Sequence, residues 1–153
     1  MVETPLQRLT FSTRGGVLTE CELKEYRRLD GQRVELIPPG GRGLVMRLAN
    51  ADVDLAEMGF EPSVAGLVLA PGEEGTLSLR CTLGGGGFVE RVVRFSAERY
   101  GFEHEVRYAG LSEDAELVLE WEGGVAATEE DVEVDIREAR ALAQKVLKQA
   151  LAG

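Results

Sequence analysis

The sequence contains few of the residues from which catalytic and metal sites are most often built, namely histidine and cysteine. It has one histidine, His104, and two cysteines, Cys21 and Cys81. A structural zinc site takes four ligands, mostly cysteine and histidine, so this supply argues against a dedicated zinc site. Aromatic residues make up only 6% of the chain. Few rings are therefore present to stack on a sugar.

Positive charge is also scarce, because 17 basic residues face 27 acidic ones and the net charge is −10. Binding to a phosphate backbone requires clustered lysine and arginine. Adhesion of a whole domain to an anionic membrane surface depends on the same charges. The composition therefore predicts no nucleic-acid partner and argues against such adhesion. Its direct consequence is solubility.

Long hydrophobic runs are absent, since no apolar stretch approaches the roughly 18 residues that a membrane span requires. The first residues, Met1 to Pro5, lead straight into a predicted strand, which indicates no signal peptide. At 153 residues the length predicts one domain with a core of its own.

What the sequence has is glycine, 19 residues of it, between short runs of alternating polarity. The stretch from Pro5 to Pro39 predicts three strands joined at Gly15-Gly16, which tolerate positive φ, and at Asp30-Gly31, a strong hairpin signal. The second strand is expected to place four residues on one face, namely Val17, Thr19, Cys21 and Leu23. Turn signals recur every 8–12 residues or so, a spacing typical of a sandwich. The fold class is therefore mainly β, an antiparallel β-sandwich.

The middle of the chain predicts a covering segment and an edge. Residues 50–63 are irregular, and four apolar side chains there are expected to pack down as a lid, namely Val53, Leu55, Met58 and Phe60. Pro62 excludes a regular central strand at this point. Farther on, one strand face is predicted to carry Phe102, His104, Val106 and Tyr108.

The tail has a different period. Apolar residues recur at steps of three and four between Asp135 and Leu151, which predicts an amphipathic α-helix. Acidic residues precede it and lysines lie in its later turns, as the helix dipole favours. We therefore expect a β-sandwich over residues 1–134 and a C-terminal helix over 135–153. The helix either packs on the sheet of this domain or leaves it for a partner protein or the membrane interface.

The two cysteines leave two interpretations open. Cys21 and Cys81 each lie on an apolar strand face, so they fit two buried free thiols. A Cys21–Cys81 bridge would close a loop of about 60 residues and stabilise the fold by about 4 kcal/mol. Spacing alone does not decide between them.

Three ordered motifs resemble the large periplasmic domain of the YidC membrane insertases. The first is Phe-Ser-Thr-Arg-Gly-Gly followed by Leu-Lys-x-Tyr, the second is Val-Val-Arg-Phe followed by a tyrosine, and the third is Leu-Glu-Trp-Glu-Gly-Gly-Val followed by Thr-Glu. Their order from Pro5 to Asp131, more than any single motif, carries the resemblance. The residues that match the family pattern best are Phe11, Arg14, Gly15, Gly16, Leu23, Tyr26, Tyr100, Trp121 and Gly124.

The resemblance implies a supersandwich-like domain in the periplasm, part of an inner-membrane protein with a membrane helix before residue 1 and more after residue 153. It implies support for membrane protein insertion and folding, akin to a chaperone, through contacts with Sec translocon components and nascent membrane proteins. It implies no enzyme activity and no cofactor. The chain departs from the larger family members by ending in an alanine-rich helix, so it is either a short-domain variant or a trimmed piece.

Nothing in the sequence assembles a catalytic site. His104 has no evident orienting partner for work as a base, and no serine has the context of a nucleophile elbow. The family's sandwich resembles that of sugar mutarotases, which use paired histidines. The single histidine of this chain cannot supply such a pair, but a carbohydrate could still bind without reacting. The alternative is therefore a free-standing carbohydrate- or peptide-binding sandwich, with Trp121, Tyr100 and Tyr108 as rings that could stack on a sugar.

Overall fold

The computed structural model describes residues 1–49 and 53–124. In this part of the chain eleven strands follow one another. They are β1 (Val2–Glu3), β2 (Gln7–Phe11), β3 (Leu18–Arg27), β4 (Arg33–Glu35), β5 (Arg42–Ala49), β6 (Glu61–Pro62), β7 (Leu67–Val68), β8 (Glu74–Thr82), β9 (Phe88–Ser96), β10 (Phe102–Ala109) and β11 (Glu116–Glu122). Two single 3₁₀ turns, Leu55–Glu57 and Gly84–Gly86, accompany them.

The strands form two sheets. The large sheet has the order β11-β5-β3-β2-β1-β7, with β4 paired to β3, and the small sheet has the order β10-β9-β8-β6. Strand pairs are antiparallel except β1 with β7, where Val2 pairs with Leu67 in parallel. The mainly β prediction is confirmed, but the prediction of a wholly antiparallel arrangement is wrong at this edge. A parallel pair needs a long connection, and here the chain passes through most of the large sheet before β7 returns beside β1.

The core lies between the sheets, because buried apolar residues of both belong to one cluster. The large sheet contributes Leu9, Leu18, Cys21, Met46 and Leu48, and the small sheet contributes Leu77, Leu79, Cys81, Val89, Val93, Phe95 and Val106. In β8 these residues alternate with exposed or half-buried ones, and in β9 they keep the same period of two although Val92 is buried as well. The period of two that predicted the sandwich is thus the period with which side chains enter its core.

The face predicted for the strand β3 is wrong at Val17, which lies just before the strand begins at Leu18. Leu18 and Cys21 enter the main core, whereas Val17 joins a second small cluster with Val45 and Ala56. The pairing of β2 with β3 shifts register between Thr10 and Phe11. Such a β-bulge changes which residues face the core beyond it.

The strand β10 is an edge of the small sheet. Its inward positions hold Phe102, His104 and Val106, as predicted, and all three are buried or half-buried. Tyr108 lies on the same face, opposite Val89, as predicted, but it is 60% exposed. Tyr108 lies near the end of β10, an edge strand that is covered by β9 on one side only.

The lid segment, defined as residues 53–63, covers the core as predicted. Leu55 and Phe60 are buried, and Val53 and Met58 pack against the same cluster. The side chain of Asp54 accepts a hydrogen bond from the Ala56 amide, 3.2 Å away, and so begins the 3₁₀ turn. Pro62 lies in β6, a two-residue edge strand, where its missing N–H costs no central ladder bond.

The predicted C-terminal helix over 135–153 lies outside the described residues, as does the boundary at residue 134. Between residues 1 and 49 and between 53 and 124, no helix has the length and apolar character needed to cross a membrane.

Candidate functional site

The Gly-Gly turn, residues 12–17, connects β2 to β3 and is fastened to the lid segment. The amide of Gly15 donates to the carbonyl of Met58 at 2.7 Å, and the amide of Phe60 donates to the carbonyl of Thr13 at 2.7 Å. Arg14 pairs with Gly59 as an isolated antiparallel bridge. The best-matching part of the family motif therefore forms a two-stranded clasp with the lid.

Both glycines of the turn are required by conformation and by space. Gly15 has φ of 75° and Gly16 has φ of 60°, the left-handed region that side chains with a Cβ avoid. A Cβ on Gly15 would lie 2.5 Å from the carbonyl oxygen of Ala56, and one on Gly16 would lie 3.3 Å from the ring of Phe60. These positions are explained by folding and need no ligand.

A chain of ion pairs joins the clasp to the edge of the large sheet. Glu57 of the lid pairs with Arg14 and, at 3.5 Å, with Arg42. Arg42 also pairs with Glu122 at 2.7 Å, and Glu122 pairs with Arg47. Hydrogen bonds from Arg42 and then Arg47 lower the pKa of Glu122. The side chains are 28–73% exposed, so each pair adds little to stability.

Arg91 is the most unusual residue of the core. It lies on the inner face of β9 and is fully buried, with 0% exposure. Its guanidinium crosses to the large sheet and donates to the carbonyl of Gly16 at 2.5 Å and to that of Leu44. Leu44 itself has φ of 56°, which is uncommon for a leucine. Arg91 thus holds two backbone positions of unusual conformation from across the core.

No carboxylate in the described residues neutralises Arg91, and its Nε has no hydrogen-bond partner there. Burial lowers the pKa of Arg91 to about 9, so the side chain still carries its charge at neutral pH. A buried unpaired charge is costly. The two carbonyl bonds offset that cost only in part, because carbonyls carry no full charge.

His104 lies next to this charge on the inner face of β10. It is 2% exposed, and neither ring nitrogen finds a partner in the described part of the chain. Burial, and to a lesser degree the charge of Arg91, lower the pKa of His104 to about 3. The ring is therefore neutral at physiological pH.

The Arg91–His104 pair offers no route to catalysis. A general base needs a pKa near the working pH and access to a substrate, and His104 has neither. Among the described residues no group of three or more His, Cys, Asp or Glu side chains is placed to hold a metal ion. What the arrangement does is tie the two sheets together at the Gly-Gly turn.

The two cysteines are buried and free. Burial raises the pKa of Cys21 to about 12 and also raises that of Cys81. Such thiols are inert at neutral pH. Of the two interpretations of the sequence, free buried thiols describe this structure, and the Cys21–Cys81 bridge is not formed.

The remaining family-matching residues lie in three other places. Phe11 packs edge-on against Phe95 of the facing sheet, with ring centroids 6.4 Å apart, and Leu23 packs against the same core. Tyr26 and Tyr100 form a tilted pair at 5.5 Å near the end of β3. They connect the two sheets at the surface.

Trp121 and Gly124 stand at the far edge of the large sheet. The ring of Trp121 lies over Gly43, where an added Cβ would come within 3.1 Å of it, and its indole nitrogen is buried without a partner in the described residues. Gly124 has φ of 70° and follows β11 in a turn. The nine matching residues are thus spread over the fold and do not converge on a binding site.

Arg91 was missed by the sequence reasoning, although its signal was present. Val89, Arg91, Val93 and Phe95 occupy alternate positions of one strand, so the period that places three apolar residues inside also places the arginine inside. No such signal exists for its carbonyl partners, because Gly16 lies in the turn between β2 and β3 and Leu44 lies on β5.

A free backbone edge is the clearest open feature of the described structure. Within residues 1–49 and 53–124 the strand β10 pairs only with β9, from Phe102 opposite Phe95 to Ala109 opposite Phe88. Its outward positions hold Glu103, Glu105 and Arg107. Bonds from Arg107 and then Arg94 hold the pKa of Glu105 at about 2, so this side chain stays charged. Charged outward residues are the usual protection of an edge against indiscriminate pairing.

Comparison with known proteins points to one family. A family model described as YidC periplasmic domain matches residues 1–138. Similar curated proteins include the membrane protein insertase YidC of Geobacter sulfurreducens, 31% identical over 66% of this chain and 20% of that protein. The membrane protein insertase YidC of Syntrophus aciditrophicus is 29% identical over 78% of this chain and 24% of that protein.

The chain spans about a quarter or less of the length of these relatives. The matched region, by contrast, covers every described residue and extends beyond them. The resemblance seen in the three ordered sequence motifs is thereby confirmed, and the chain belongs to the YidC periplasmic domain family.

Proposed function

We propose that this chain is the non-catalytic periplasmic domain of a YidC-type membrane protein insertase. It supports the insertion and folding of membrane proteins through contacts with Sec translocon components and nascent membrane proteins. The observation that carries this proposal is the family match over residues 1–138. The parent protein would lie in the inner membrane with this domain on its periplasmic side, the sandwich over 1–134 and a helix over 135–153.

A docking role is supported by what the described residues offer. Their single histidine is buried and neutral, and their free thiols are inert, as described above. What they expose instead is a strand edge eight residues long, β10. An extended peptide can add to such an edge by main-chain hydrogen bonds. We therefore propose the edge of β10 as the surface that receives an extended segment of a partner protein.

The alternative of a free-standing carbohydrate-binding module has less support. Trp121 is packed on Gly43 and Tyr100 is packed on Tyr26. Of the three rings considered for stacking on a sugar, Tyr108 alone is mainly exposed. The rings therefore do not form a shared platform for a sugar.

Binding to purified Sec translocon in detergent tests the proposal. The immobilised chain should retain the translocon, and a charge reversal on the edge, Arg107→Glu, should weaken retention. Arg99→Glu is the matched control, because Arg99 is exposed in the turn before β10 and the change of net charge is the same. Equal retention by both variants would contradict the edge as the docking surface.

A glycan array separates the two functions. The insertase proposal expects no glycan to bind in a manner that depends on Trp121. A saturable glycan signal that Trp121→Ala abolishes in a folded variant, together with no retention of the translocon, would replace the docking proposal with the carbohydrate-binding one.

A further inference from the structure

A β-hairpin projects from one end of the large sheet. The strands β3 and β4 form it, and every residue from Glu25 to Arg33 is exposed. Its turn is well closed, because the Arg28 amide donates to the Gln32 carbonyl at 2.7 Å and the Gly31 amide donates to the Arg28 carbonyl at 2.9 Å. We name residues 26–33 the hairpin tip. It is an ordered projection.

The hairpin tip concentrates positive charge in an acidic chain. It contains Arg27, Arg28 and Arg33 but one acidic residue, Asp30, while the whole chain carries −10. Arg27 stands directly opposite Arg33 in the strand pairing. Like charges placed opposite each other on a hairpin destabilise it. An anionic surface against the hairpin tip would relieve this repulsion.

Local carboxylates neutralise the hairpin tip only in part. Asp30 lies 3.8 Å from Arg28, and Glu22 lies 2.9 Å from Arg33. Arg27 contacts no carboxylate among the described residues; it donates instead to the carbonyl of Gly31 at 3.4 Å. Glu25, next to the hairpin tip, is exposed and accepts a hydrogen bond from the Tyr100 hydroxyl at 3.2 Å, so it lowers the local positive charge without pairing with an arginine of the tip. Charges farther away than about 10 Å are screened at ordinary ionic strength, so the more distant carboxylates do not cancel the excess that is left.

The end of the hairpin tip is apolar. Leu29 is 98% exposed, the largest exposure of any big hydrophobic side chain in the described residues. Behind it Tyr26 is 55% exposed and packs against Tyr100. The leucine is at the end of the hairpin, the arginines lie beside it and the tyrosine lies farther back. At a lipid surface this order places an apolar side chain at the hydrocarbon and the basic and aromatic side chains at the head groups.

We propose that the hairpin tip docks on the surface of an anionic phospholipid bilayer, with Leu29 in the acyl boundary and the three arginines at the phosphates. A protein partner fits this feature less well, because a stable protein interface buries about 800 Å² on each side, and the hairpin tip is narrow and convex. A bilayer requires no complementary shape. Each arginine is expected to raise the partition onto anionic vesicles by about fivefold.

This docking does not depend on the proposed insertase function, and isolated chain and vesicles suffice to test it. Leu29→Cys gives a site for an environment-sensitive dye. The label is selective because Cys21 and Cys81 are buried with raised pKa values. We expect the dye to brighten and shift to the blue with phosphatidylglycerol-containing vesicles and to remain unchanged with phosphatidylcholine alone. Val68→Cys, 75% exposed on another edge, is the control and should report no change.

Variants of the hairpin tip separate local from overall charge. In vesicle co-sedimentation, Arg27→Gln with Arg28→Gln should lower the partition coefficient by roughly twenty-fivefold, as two fivefold factors imply. Arg14→Gln with Arg80→Gln removes the same charge from exposed positions away from the hairpin tip and should leave partition within about twofold. Leu29→Ser should weaken binding without changing its dependence on salt.

Several outcomes would overturn the docking. One is absence of binding to anionic vesicles at millimolar lipid and low salt. Another is an equal loss in the two double-arginine variants, which would mean that net charge alone acts. A third is binding of soluble polyglutamate as tight as that of vesicles with no change of the dye at position 29, which would assign the hairpin tip to an acidic peptide. Circular dichroism of each variant confirms that the fold is retained.

Discussion

Gly16 combines a positive φ, a carbonyl that binds Arg91 and a position at which an added Cβ would lie 3.3 Å from the ring of Phe60. We expect Gly16→Val to lower the free energy of unfolding by about 2–3 kcal/mol, because a β-branched residue is strained in the left-handed region. Partner affinity per folded molecule should stay unchanged. Thermal unfolding and binding measured on the same samples check this.

Gly59→Ala is the control for that change, because Gly59 lies in the same clasp without a positive φ and has open space at the position of a Cβ. It should leave the melting temperature nearly unaltered. A stable Gly16→Val variant that has lost partner binding would show that the turn recognises a ligand.

At Arg91 two substitutions separate the cost of the charge from the value of the hydrogen bonds. Arg91→Lys keeps a buried charge but loses the fork that reaches Gly16 and Leu44 together. Arg91→Met removes the charge and keeps an unbranched apolar chain. We expect losses of about 1–3 kcal/mol for methionine and a larger loss for lysine, measured by urea unfolding at neutral pH. A lysine variant more stable than the methionine variant would mean that charge is what this position requires.

His104 makes stability depend on pH in a defined direction. Its pKa is about 3 in the folded chain and 6.5 in the ordinary state. Between these values the unfolded chain takes up a proton and the folded chain does not. Stability present above about pH 6.5 is therefore lost as the pH falls, by about 1.4 kcal/mol per pH unit.

His104→Leu removes that dependence, and because the chain has one histidine no other imidazole replaces it. Urea unfolding between about pH 5 and 7, above the range in which carboxylates titrate, should give a sloping line for the natural chain and a nearly flat one for the variant. A slope that survives the substitution would place the titrating group elsewhere.

At the scale of elements, the lid segment is held by burial more than by charge. Phe60 is 2% exposed, and Phe60→Ala should cost about 3–5 kcal/mol and speed hydrogen exchange at the Gly15 amide, which is bonded to Met58. Glu57→Gln breaks two exposed ion pairs and should cost at most about 1 kcal/mol. The reverse order of the two losses would mean that the ion pairs fasten the lid.

Sequence patterns predicted these elements unevenly, for physical reasons. The lid and the turn at Asp30-Gly31 follow from local chemistry. The cluster that Val17 joins could not be predicted in this way, because it depends on the bulge near Phe11, which forms only when β2 pairs with β3. The parallel placement of β7 beside β1 depends on the return path of the chain, which local patterns do not encode.

At the scale of the whole molecule, the candidate site was predicted less well than the fold. The residues that match the family motifs were expected to mark structure, and Gly15 and Gly16 do so by closing the clasp. The arginine that holds this clasp from the opposite sheet was overlooked, since a basic residue in a strand is usually assigned to solvent. Burial of Arg91 depends on two carbonyls that meet it only after the sheets have packed.

A domain with a net charge of −10 can still have two surfaces that differ in charge, because the charges are unevenly distributed over it. The outward side of β10, the edge proposed for an extended peptide, carries two glutamates and an arginine, and the hairpin tip carries arginines around a leucine. The two sheets bury the single histidine. We infer a domain that positions partners, and that inference is what an experiment should address first.

Hydrogen exchange of the chain with and without purified Sec translocon is the most direct such experiment. We expect slower exchange along β10, from Phe102 to Ala109, where a partner strand would bond the free edge, and unchanged exchange at Arg91 and His104 in the core. Absence of any protection at concentrations near 100 μM, about the limit for a weak interface, would contradict the docking role. So would protection that appears only with a small ligand at His104.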